Sequence, residues 1–75
     1  MKDKVIEQIA TVFEIPPSEI SLDSTPETLK NWDSLRHMKM VLALETAFGI
    51  EIPPERIVEM LSVKKVVETV AELAH

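Results

Sequence analysis

Asn31-Trp32-Asp33-Ser34-Leu35-Arg36-His37-Met38-Lys39-Met40-Val41-Leu42-Ala43-Leu44-Glu45-Thr46-Ala47-Phe48-Gly49 is the stretch that decides the fold. Its apolar spacing predicts one long helix over 33–48. Asp33 and Ser34 open it, because short polar side chains accept hydrogen bonds from the free N–H groups of a first turn. Gly49 closes it, because the residue past a helix end often takes the left-handed conformation that glycine adopts without strain. On a wheel of 3.6 residues per turn, His37, Met40, Val41, Leu44, Ala47 and Phe48 share one broad stripe, the pattern of a face turned to a core. Leu35, Met38 and Leu42 fall together on the opposite side. That second stripe has two readings: burial under the 14–32 connection, or a surface kept for a partner.

Before this helix, residues 3–13 carry Val5, Ile6, Ile9, Val12 and Phe13 at helical spacing, and Ile15-Pro16-Pro17 stops them, since a residue before proline is pushed out of the helical region. Residues 14–33 form a long connection, unusual inside a small domain. Ser18-Glu19-Ile20 predicts one turn, and Ser24-Thr25-Pro26-Glu27 has the spacing of a capping box. Ile20, Leu22, Leu29 and Trp32 are the expected anchors that pin the loop over the core. After the long helix, Ile50-Glu51-Ile52-Pro53 reads as extended with no second strand to pair with. Pro54 predicts a short helix over 54–61 with Ile57, Val58 and Leu61 inward. Ser62 caps a last helix whose core stripe is Val63, Val66, Val67, Val70 and Ala74, with Leu73 beside it. The expected fold is all-α: a small four-helix bundle, three main helices and one short one, with a long first loop, in one domain spanning 1–75.

The 75 residues bury only about 60–65% of their unfolded surface at this size, and no staple is evident. There is no cysteine, hence no disulfide or thiolate metal site. The two histidines, His37 and His75, are too far apart to form a spaced ligand set. A net charge of −5, from 13 acidic and 8 basic residues, sets the surface against phosphate backbones and anionic membranes. No apolar run approaches the ~20 residues of a membrane span, and Met1-Lys2-Asp3-Lys4 leads into an amphipathic segment, not a secretory signal. The expected compartment is the cytoplasm.

No catalytic set stands out. Asp33, Ser34 and His37 lie along one helix start, where Asp33 and His37 are spaced to pair and leave the imidazole little reason to serve Ser34 as a base. The single glycine excludes a phosphate-cradling loop.

Trp32-Asp33-Ser34-Leu35 at a helix start, then Leu44-Glu45-Thr46-Ala47-Phe48-Gly49-Ile50-Glu51-Ile52-Pro53, resembles the acyl carrier protein family. The Asp-Ser-Leu triplet alone is a weak signal. The order of first helix, proline-bearing loop, triplet, aliphatic helix, Ile-Pro, short helix and valine-rich last helix covers nearly the whole chain. The resemblance implies 4′-phosphopantetheine on Ser34, transferred from coenzyme A by a separate phosphopantetheinyl transferase, with cargo held as a thioester on the terminal thiol. Asp33 then assists recognition by the transferase. The docking face for acyl- or aminoacyl-loading and acyl-transferring enzymes would be Leu35, Arg36, Met38, Lys39 and Leu42. The need to meet many enzymes favours a monomer.

Two departures bear on the pathway. Asn31-Trp32 stands where fatty-acid carriers usually have small residues. Arg36 and Lys39 stand where those carriers usually have acids, two and five positions after the serine. These reversals point to a dedicated carrier of a specialised pathway. A peptidyl or D-alanyl carrier remains an alternative, as does an unmodified helical adaptor gripping one partner with Leu35, Met38 and Leu42.

Overall fold

The long helix forms as the sequence predicts, and the loop before it is fastened on both flanks. In the computed structural model, which describes residues 1–74, the elements are α1 (Lys2–Phe13), a 3-10 turn (Pro17–Glu19), α2 (Ser34–Phe48), α3 (Pro54–Ile57) and α4 (Val63–Leu73). His75 lies outside the described residues. No strand occurs among them, and none of their helices is long and apolar enough to cross a membrane.

The core lies where the three helical stripes meet. α1 contributes Val5, Ile9 and Phe13, α2 Met40, Val41 and Leu44, and α4 Val63, Val66 and Val70, all essentially without solvent contact. Complete burial of such a side chain is worth about 1.5–3 kcal/mol, so these nine side chains dominate the stability. Thr69 is equally buried. Its hydroxyl donates to the Lys65 carbonyl at 2.9 Å, which satisfies it within its own helix.

Each long helix ends by a local rule. Glu14 follows α1 at φ 58°, and its N–H and that of Ile15 both reach the Ala10 carbonyl. Gly49 follows α2 at φ 65°, and its N–H and that of Ile50 both reach the Glu45 carbonyl. These left-handed closures satisfy carbonyls that a helix end leaves free. The extended piece after Gly49 is held by Glu45, whose Oε2 accepts from the Ile52 N–H at 2.8 Å.

The first loop is tied to α4 by two of its backbone carbonyls. Val63 N–H donates to the Ser24 carbonyl at 2.9 Å and Lys64 N–H to the Leu22 carbonyl at 3.0 Å, so two free donors of α4's first turn are met by the loop. Ser62 caps the same turn, accepting from Lys65 N–H. Ile20, Leu29 and Trp32 are buried anchors as expected, whereas Leu22 is 36% exposed and holds by its carbonyl instead of its side chain. The capping box from Ser24 to Glu27 does not form. Ser24 Oγ accepts from Ser21 N–H, and Thr25 starts its own turn, with Thr28 and Leu29 N–H both on its carbonyl.

The short helix departs most from expectation. It stops at Ile57, not at 61, and the chain continues in tight turns through Met60. The changed register turns Met60 fully inward, half-buries Ile57, and leaves Val58 and Leu61 69% and 56% exposed. Arg56 fastens α3 to α4 through Glu72 and Thr69. The Arg56–Glu72 hydrogen bond, with their mutual charge attraction, holds the Glu72 carboxyl below its ordinary range and pushes the guanidinium further up.

Candidate functional site

Asp33 is the cap of α2, and Ser34 is free. Asp33 has extended backbone, and its Oδ1 accepts from Arg36 N–H at 2.8 Å. Ser34 is the first helical residue; it is exposed, and its hydroxyl has no hydrogen-bond partner among the described residues. The N–H groups of Ser34 and Leu35 start the helix without an intrahelical acceptor, at the positive end of its dipole.

A groove of about 490 Å³ opens beside Ser34. Trp32, His37, Met38, Ile57, Val58 and Leu61 line it. Trp32 is buried and its indole ring meets the Phe13 ring at 5.5 Å between centroids, tilted by 56°. His37 lies nearly parallel to the indole and accepts from Trp32 Nε1–H at Nδ1, 3.0 Å away. Its other nitrogen, Nε2, is 2.9 Å from the Ile57 carbonyl. The Asp33–His37 pairing allowed by their spacing therefore does not form: Asp33 is spent on a backbone N–H, and His37 on Trp32 and α3. This disposes of a Ser–His–Asp arrangement, because both imidazole nitrogens face away from Ser34's use.

The opposite stripe of α2 is open. Leu35, Met38 and Leu42 are 64%, 45% and 60% exposed, so the first loop does not cover them. Lys39 is exposed among them. Val58 and Leu61 of the α3 region, expected inward, are exposed as well and line the groove. Arg36 points elsewhere. Its Nη1 donates to the Val12 carbonyl at 2.8 Å and lies 3.5 Å from Glu14 Oε2. The guanidinium thus closes the end of α1, a contact across 24 positions that no local pattern announces. Asn31 works on the same helix end: it sits at φ 74°, and its Nδ2 donates to the Phe13 carbonyl at 2.9 Å.

Comparison with known proteins agrees with this arrangement. Residues 3–70 match the family model described as a phosphopantetheine attachment site. A curated acyl carrier protein of Campylobacter hominis is 34% identical over 73 residues, covering 97% of this chain and 87% of that protein. An exposed serine opening the second long helix of an all-helical bundle accords with both matches. The chain belongs to the acyl carrier protein family, whose members bear 4′-phosphopantetheine and carry cargo without catalysing its chemistry.

Proposed function

We propose that Ser34 bears the 4′-phosphopantetheine and that residues 1–75 act as one carrier domain, delivering acyl intermediates between the enzymes of a specialised pathway. The observation that carries this reading is the division of labour at the start of α2. Asp33 satisfies the cap, so Ser34 keeps an exposed hydroxyl with no structural duty. When bound, the cofactor supplies the thiol on which cargo is held as a thioester, a group this cysteine-free chain lacks.

The residues around Ser34 fit such a group. Free N–H groups at the positive end of α2 favour a phosphodiester by roughly 0.3–1 kcal/mol. The apolar groove beside it offers Val58, Leu61 and Met38 as contacts for an arm or its cargo. Asp33 stays available on the surface as a recognition element for the transferase.

Leu35, Met38 and Leu42 supply an apolar docking stripe, with Lys39 as its free positive charge. Because Arg36 is engaged at the end of α1, Lys39 carries most of the sign reversal on this face. A positive charge here repels the basic surfaces that suit acidic carriers and suits a partner with a carboxylate opposite it. Normal loading by a general malonyl transferase and normal elongation by a general ketosynthase would contradict the specialised-pathway assignment.

Intact-protein mass spectrometry before and after incubation with coenzyme A and a broad-specificity phosphopantetheinyl transferase tests the attachment. The expected result is a gain of one phosphopantetheine unit, lost in Ser34→Ala. No gain on folded protein with several transferases, or a gain that survives Ser34→Ala, would refute it.

A further inference from the structure

His37 joins three parts of the molecule through one ring. Trp32 Nε1 can only donate, so the imidazole Nδ1 that it meets at 3.0 Å must accept. In the neutral ring the proton then sits on Nε2, which donates to the Ile57 carbonyl at 2.9 Å. A single tautomer satisfies both contacts. The Ile57 carbonyl also accepts the Met60 N–H, so the last carbonyl of α3 is filled from two directions.

α3 needs such help. It has four residues and buries none of them completely, and a helix of one turn does not hold itself. Arg56 ties it to α4, and His37 ties it to α2, one turn along from Ser34. Ile57, Val58 and Leu61 line the groove beside Ser34, and His37 lines it with them.

We propose that His37 is a positioning residue: its Nε2–H, oriented by Trp32, holds α3 in place and so fixes the width of the groove that receives the arm and its cargo. Trp32 orients the ring, and the ring holds α3. The consequence for cargo rests on the reading that Ser34 carries the arm. The hold on α3 itself is a property of the unmodified chain and is tested there.

The experiment is ¹⁵N NMR of the unmodified full chain, combined with amide hydrogen exchange in three variants. The wild-type His37 side chain should show a bare Nδ1 and a protonated Nε2, with slowed exchange of the Trp32 indole N–H. In His37→Ala the amides of Ile57, Val58 and Met60 should exchange about tenfold faster, the factor expected when hydrogen bonds worth about 1.4 kcal/mol are lost. Amides in the middle of α1 and α4 should be unchanged. His37→Gln places an amide donor where Nε2 was and should restore protection of α3. His37→Asn places an acceptor where Nδ1 was and should restore only the slow indole exchange. An Nδ1–H tautomer in the wild type, unchanged α3 protection in His37→Ala, or no difference between the Gln and Asn variants would overturn the proposal and leave α3 to the Arg56 contact. If His37→Ala does not fold, the wild-type tautomer and the Gln–Asn pair still decide. Loading of Ser34 plays no part in these measurements, so their failure and that of the attachment reading are separately visible.

Discussion

Replacing Asp33 and Ser34 by alanine, one at a time, separates two duties that adjacent residues at a helix start could share. Asp33 Oδ1 accepts from Arg36 N–H at 2.8 Å and is the cap of α2. Asp33→Ala removes the acceptor and exposes one more unpaired donor. Loss of such a cap costs about 0.5–2 kcal/mol, and loss of a negative charge at the positive helix end adds roughly 0.3–1 kcal/mol. The expected total is about 1–3 kcal/mol, or a fall in Tm of about 4–24 °C for a domain of this size. Asp33→Asn keeps the acceptor and should lose only the charge contribution. Ser34→Ala removes an exposed hydroxyl without a partner among the described residues and should stay within about 0.5 kcal/mol of wild type. Urea unfolding followed by far-UV circular dichroism and by the fluorescence of the single tryptophan gives all three values. Phosphopantetheine loading should fall in the opposite order, abolished in Ser34→Ala and only weakened in Asp33→Ala. A Ser34→Ala protein destabilised as much as Asp33→Ala would refute the assignment of the cap, and with it the argument that Ser34 is kept free.

Further outcomes follow from the packing. Arg36→Ala leaves the Val12 carbonyl without its charged donor and should cost about 1–2 kcal/mol in urea unfolding, with Arg36→Lys recovering only part because the ammonium is shorter and not forked. Met60→Ala should cost about 2–5 kcal/mol by opening a cavity, while Leu61→Ala, at a residue 56% exposed, should stay within about 0.5 kcal/mol. The Arg56–Glu72 contact makes stability depend on acid. Because the folded Glu72 carboxyl is held below its ordinary value of 4.5 by the Arg56 hydrogen bond, its stabilisation is present above that value and is lost as pH falls through the depressed one. Wild type should therefore exceed Glu72→Gln in stability at neutral pH, and the gap should close in acid, as pH-dependent urea unfolding would register.

The long helix and its two faces were legible because each depends on spacing alone. Met40, Val41 and Leu44 go inward as the wheel dictates, and Leu35, Met38 and Leu42 share the opposite side, where only the structure shows that the first loop leaves them uncovered. Thr69 could have been placed by the same wheel, since it lies between Val66 and Val70 on the buried stripe. Its polarity hid it, although a threonine can return its hydroxyl to a carbonyl four residues back. The end of α3 was not legible. Ile57, Val58 and Leu61 have helical spacing, so the pattern carried the helix to 61, but one early exit shifts the register and hands the inward position to Met60. The capping box at Ser24 does not form because its hydroxyl accepts from Ser21 N–H, while its carbonyl accepts from Val63 N–H, a partner almost forty positions away that a local pattern does not register. The carbonyls that Arg36, Asn31 and His37 meet lie 24, 18 and 20 positions away, and a side chain gives no sign of which distant carbonyl it will reach.

Those distant contacts also give the departures from fatty-acid carriers a physical purpose. Asn31 donates to the Phe13 carbonyl, Trp32 packs on the Phe13 ring, and Arg36 donates to the Val12 carbonyl. All three flank Ser34, and all three converge on the last residues of α1. Small residues before the triplet could make neither the Asn31 nor the Trp32 contact, and an acid two positions after Ser34 would face the carbonyl end of α1, where negative charge is unfavourable. The start of α2 is therefore anchored on α1 by its neighbours on both sides of Ser34, while Ser34 itself is left unengaged. On the proposed reading that combination serves a carrier: the attachment point is fixed relative to the proposed docking stripe of the same helix, so that a partner gripping Leu35 and Leu42 would find the serine at a set position, with α3 held separately by His37 and Arg56.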